Sequence, residues 1–148
     1  MPLDIQCVCP ANPEDYTNRG AIITPLKDRI ESQILTHYPA DVATSRIITE
    51  QEAGLTEEQK STIYIPEPAK DLIEQIAFEA RESEFVDAKS GVSARMTISA
   101  FENLVSAVER RALINGEKSA SARVADFWGV VPAITGKIEL VYEGEQEG

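Results

Sequence analysis

The apolar and polar positions change period along the chain, and the change divides it. Met1 to Cys9 is mostly apolar, with Ile5-Gln6-Cys7-Val8-Cys9 alternating as a strand does, and Pro10 ends it. Residues 10–23 carry Pro, Asn, Asp and Gly in the manner of a loop. Thr24 and Pro25 then suit the N-cap and first position of a short helix through Ile30. Gln33–Tyr38 predicts a second strand, stopped by Pro39.

From Asp41 the period becomes helical. Asp41 is placed to cap a helix to Ala53, closed by Gly54. Thr56–Thr62 is charged and without period, which predicts a mobile surface loop, and Ile63-Tyr64-Ile65 predicts a short extended piece. A helix from Pro68 to Phe85 would turn Leu72, Ile73, Ile76 and Ala80 inward, until Lys89-Ser90-Gly91 breaks it. Ser93 to Ile114 carries the clearest stripe, Phe101, Leu104, Val105, Val108 and Ala112, and ends at Asn115-Gly116. A last helix over Ala120–Val131 would bury Val124, Phe127, Trp128 and Val131 before Pro132. The expected fold is therefore α-rich α/β: two or three strands, then a bundle of about four helices, with no internal repeat.

Composition narrows the function classes. The 148 residues suit one domain, and 43% hydrophobic with 26% charged is ordinary for a globular chain. A net charge of -11 argues against binding nucleic acid or anionic membranes, whose phosphates an acidic surface repels. No apolar run reaches the roughly 18 residues of a membrane span, and no signal peptide opens the chain. Cys7 and Cys9 lie too close along one strand for a disulfide and lack the further ligands of a zinc site. Buried, reduced thiols in the cytoplasm are expected.

Three positions carry candidate chemistry. The Asn12 amide both donates and accepts, so at a strand end it can orient water against a terminal phosphate, although Asn-Pro also makes an ordinary turn. Arg29, ending a short helix, presents a permanent charge that can neutralise a transferring phosphoryl group across an interface, or simply pair with Asp28 or Glu31. Arg95 falls on the first turn of a helix, where the dipole favours anions. That mismatch makes sense if Arg95 and the free N–H groups share an anionic ligand, while plain solvation is the other reading. Gly136-Lys137 does not make a phosphate loop: six residues, not four, separate it from Gly129, and Ile138 stands where Ser or Thr is needed. His37 lacks an accompanying nucleophile and reads as structural.

In order and spacing these positions resemble the C-terminal part of an AAA+ ATPase of the magnesium chelatase ATPase-subunit and MoxR-like group. A-N-P-E-D-Y-T-N-R-G-A-I-I-T-P-L-K-D-R-I at 11–30 is similar to that group's sensor-1 strand end and arginine-finger helix. S-G-V-S-A-R at 90–95 is similar to the sensor-2 start of its lid helix. The resemblance implies sensor 1 at Asn12, the finger at Arg29 and sensor 2 at Arg95. It also implies residues 1–40 as the end of a parallel nucleotide-binding core, 41–136 as the helical lid and 137–148 as an acidic tail. ATP and Mg2+ would be bound by the full-length enzyme, which would assemble into a homo-oligomeric ring and remodel a protein partner.

The sequence also departs from that group. It holds no G-x-x-x-x-G-K-[S/T] loop and no Asp-Glu pair after an apolar strand, elements that precede sensor 1. A chain opening almost directly into a strand is expected to lack an N-terminal portion, and these residues alone are expected neither to bind ATP nor to turn it over. The alternative expectation is a free-standing acidic interaction module, derived from such a lid and without ATPase activity.

Overall fold

A computed structural model describes residues 7–8, 10, 29, 32–86 and 92–138. The chain divides into two compact units, residues 1–37 and 38–148. In the first, residues 32–37 take no regular secondary structure, and neither do Tyr38 and Pro39 beyond the boundary, so the strand expected over Gln33–Tyr38 does not form. Ile34 and Leu35 are exposed, leaving no buried face to fix a strand's alternation. Cys7 is exposed, contrary to the expected buried thiol. The expected strand at 1–9 and helix at 24–30 fall almost wholly outside the described residues.

The second unit is helix-rich with a small parallel sheet, the expected α-rich α/β class. Its helices are α1 (Val42–Glu52), α2 (Glu57–Thr62), α3 (Glu67–Glu82), α4 (Ala94–Asn115) and α5 (Val131–Thr135), with a 3-10 helix at Val124–Gly129 before α5. β1 (Ile63–Tyr64) and β2 (Ala120–Ser121) pair in parallel, Ile63 opposite Ala120 and Tyr64 opposite Ser121.

α4 is the axis of the unit. Leu104, Val105 and Val108 are fully buried along one stripe, joined by Phe101 and Ala112. Ile65 and Ile73 pack against that stripe from one side, Val130 and Ala133 from another. Each buried Leu, Val, Ile or Phe here contributes about 1.5–3 kcal/mol by leaving water. Gly116 stops α4 at φ 66, the left-handed conformation that a glycine adopts without a Cβ clash.

α1 docks differently. The Asp41 carboxylate accepts from the Thr44 N–H at 2.7 Å and starts the helix. Its buried face is polar: Ser45 Oγ donates to the buried Glu74 carboxylate of α3 at 2.5 Å, and the Thr49 and Thr97 hydroxyls meet at 2.8 Å. Arg46 adds ion pairs to Glu67 and Asp71 on α3.

Three expectations fail here for identifiable reasons. Residues 56–62 form α2 rather than a loop. The Thr56 hydroxyl accepts from the Gln59 N–H while Gln59 Oε1 accepts from the Thr56 N–H, a reciprocal cap that needs no apolar period. On α3 the expected inward face fails only at Leu72, which is exposed: Ile73 is buried together with Glu74 and Ala77, and Ile76 and Ala80 pack half-buried against the cluster of Ala77, Val92 and Met96. The expected helix over 120–131 is instead β2, the 3-10 helix and the start of α5. Three residues per turn place Phe127 and Val130 on one inward face and swing Trp128 out to 80% exposure, while Val124, at the first position of the 3-10 helix, is 89% exposed. Gly129 permits the close approach, because a Cβ there would lie 2.8 Å from that of Ala107.

Candidate functional site

Arg95 stands on the first turn of α4, and the surrounding residues explain its direction. Ser93 caps the helix, its hydroxyl accepting from the Arg95 N–H at 3.2 Å. Val92 and Met96, flanking the turn, are buried against Ala77. Thr97 is also buried, bonded to Thr49 and to the Ala94 carbonyl. With its neighbours pinned inward, Arg95 is exposed. Its guanidinium has no ion-pair or hydrogen-bond partner among the described residues.

Two further cations frame this turn. Arg81 of α3 donates from Nε to the Val92 carbonyl at 3.1 Å and stacks over Tyr38 (4.5 Å to the ring centre) and Phe78 (5.3 Å). Both its terminal nitrogens are buried without a hydrogen-bond partner among the described residues. Lys137, after α5, donates from Nζ to the Arg95 carbonyl at 3.0 Å and to Ser99 Oγ at 2.5 Å.

The start of α4 thus gathers positive charge at the positive end of a helix dipole, on a chain of net charge -11. Such a site can receive anionic oxygens. Among the described residues its hydroxyls, Ser93 and Ser99, serve as hydrogen-bond acceptors for the Arg95 N–H and the Lys137 ammonium.

Arg29 lies in a turn of the first unit, exposed. Asn12 lies outside the described residues. Arg29 and Arg95 belong to different units. Among the described residues no group of three His, Cys, Asp or Glu side chains is arranged to hold a metal, and no helix is long and apolar enough to cross a membrane.

Comparison with protein-family models, curated proteins and solved structures finds no match. Two surface grooves lie elsewhere. One, about 300 Å³, runs beside the far end of α4 between Arg110, Ile114 and Trp128. The other, about 220 Å³, lies near β1 between Tyr64, Lys70 and Phe101. Neither is lined by Arg95 or Lys137.

Sequence reasoning singled out Arg95 but passed over Lys137, having weighed Gly136-Lys137 only as a phosphate loop. Its partners are 42 and 38 residues away in sequence, a separation that no local motif encodes.

Proposed function

We propose that this chain supplies the sensor and lid residues of a cytoplasmic AAA+ ATPase of the magnesium chelatase ATPase-subunit and MoxR-like group. Asn12 acts as sensor 1, Arg29 as the arginine finger and Arg95 as sensor 2. The phosphate-cradling loop and the magnesium-holding acids come from residues outside these 148.

The observation that carries this reading is Arg95: exposed, unpaired among the described residues, and fixed at the N-terminus of the longest helix by buried neighbours. A guanidinium so placed suits the terminal phosphates of ATP, whose charge the dipole and the arginine both favour. An exposed guanidinium at a helix N-terminus suits a phosphate group, and Mg2+ would be held by acids other than the described residues near Arg95. Arg95 would bind and orient the phosphates, and Arg29 would reach the site of an adjacent subunit. That contribution in trans requires head-to-tail contacts closing into a homo-oligomeric ring. The work of such a ring is the ATP-driven remodelling of a protein partner.

The test is ATP binding and turnover in the assembled enzyme. Arg29→Ala should cut turnover by on the order of 10³-fold or more while leaving ATP affinity nearly intact. Arg95→Ala should weaken ATP binding. Undiminished hydrolysis by the Arg29 variant removes the finger role, and unchanged affinity and turnover in the Arg95 variant remove the sensor role.

A second reading, an interaction module without ATPase activity that docks on ring subunits, is favoured by the exposed apolar surface of Leu113, Ile114, Val124 and Trp128. Gel filtration with a full-length AAA+ homologue separates the two. A stable complex lost on Trp128→Ser, with no effect of Arg95→Ala on ATP binding, selects the module.

A further inference from the structure

We propose that Lys137 is a positioning residue for Arg95, clamping the first turn of α4 so that the guanidinium is held toward bound phosphate. The inference rests on the sensor reading of Arg95 given above.

The clamp spans one turn of helix: a single ammonium takes the carbonyl of Arg95 and the hydroxyl of Ser99, four residues on. Both acceptors lie on the segment whose orientation fixes the Arg95 side chain. The backbone that carries the ammonium is fixed from behind. The Lys137 N–H donates to the Ile134 carbonyl at 3.0 Å, and Ile134 and Ile138 on either side pack against the cluster of Ala77, Val92 and Met96. The core that seats α4's first turn therefore also seats the residue that clamps it.

Electrostatics argues against a purely stabilising role. An ammonium at a helix N-terminus opposes the dipole, and a neutral or acidic side chain would serve the fold better there. Lys137 has no carboxylate partner among the described residues, although the chain carries 25 acids against 14 Lys and Arg. Two of its three donors go, as far as the described residues show, to neutral oxygens. A second cation beside Arg95 becomes favourable once an anion arrives, and the clamp spares Arg95 the entropy of finding its orientation.

The experiment compares the assembled enzyme with its Arg95→Ala, Lys137→Met, Lys137→Arg, Ser99→Ala and Arg95→Ala/Lys137→Met variants. It measures affinity for a fluorescent ATP analogue, kcat, and hydrogen exchange of the amides at 94–99. Lys137→Met should weaken nucleotide binding by about tenfold, with kcat changed far less and faster exchange confined to that turn. Lys137→Arg should restore most of the affinity, and Ser99→Ala should show a smaller loss. The double variant should bind no worse than Arg95→Ala alone, since a residue acting through another is not additive with it. Wild-type affinity in Lys137→Met alongside an impaired Arg95→Ala overturns the clamp and leaves the sensor reading standing. Fully additive losses in the double variant also overturn it, because Lys137 would then act independently. An unimpaired Arg95→Ala overturns the sensor reading and the clamp with it.

Discussion

Arg95 and Arg111 sit at opposite ends of α4, and their surroundings could hardly differ more. Arg111 is held by several partners: Nε and Nη2 fork onto the two oxygens of Asp126 at 2.9 and 3.0 Å, Nη2 also donates to the Ser121 carbonyl at 2.8 Å, and Nη1, without a hydrogen-bond partner among the described residues, lies 3.5 Å from a Glu117 carboxylate oxygen. It ties α4 to β2 and to the 3-10 helix at once. Arg95 engages no side chain among the described residues. The same residue type on the same helix is a structural bolt at one end and an unspent cation at the other. Residue type therefore carries no function here until the partners are counted.

The largest expected effect is at the bolted end. Asp126 is 6% exposed, and its carboxylate accepts from Arg111 and from the Arg123 N–H. Asp126→Ala leaves those donors unmatched and should cost about 2 kcal/mol in urea unfolding followed by circular dichroism. Hydrogen bonds from Arg111 hold the Asp126 carboxyl below its ordinary value of 3.8, against the opposing pull of burial, with the Arg123 N–H assisting. Its contribution is thus complete above that ordinary value and drains away as pH falls through the lower folded value. Wild type should accordingly lose stability below about pH 4, and Asp126→Asn should flatten that acid limb. An acid limb of equal slope in both proteins would count against the assignment.

Next comes the helix stop beside it. Gly116→Ala forces a Cβ into the left-handed region and should cost about 1 kcal/mol, although a Cβ there meets no atom within 4 Å. No loss would mean that α4 can end in another conformation. The smallest expected effect sharpens the contrast. Arg95→Ala should move the unfolding free energy by less than about 0.5 kcal/mol, even as it weakens ATP binding. A loss comparable to that of Asp126→Ala would make Arg95 a second bolt.

Legibility in the sequence follows the same division. α1 and α4 could be read because their signals are local: Asp41 as cap, the Phe101–Ala112 stripe, Gly116 as stop. The direction of Arg95 was also implicit, since Val92 and Met96 claim the inward positions around it. What stayed hidden depends on partners distant in sequence. Glu74 is a charged residue buried on α3 because Ser45 of α1 reaches it, and nothing near Glu74 says so. The inward turn of Asp126, which opens the 3-10 helix and expels Trp128, is set by Arg111. α2 was legible in principle through the Thr56 and Gln59 pair, but a six-residue polar helix shows no period to notice.

The displacement of Trp128 has a spectroscopic consequence. It is the chain's single tryptophan, and in the folded protein it is already largely in water. Intrinsic fluorescence should be red-shifted from the outset, change little on denaturation, and yield readily to a soluble quencher. The same indole is then a sensitive optical probe of anything that covers the outer end of α4: a blue shift and lost quenching would register the contact without a label.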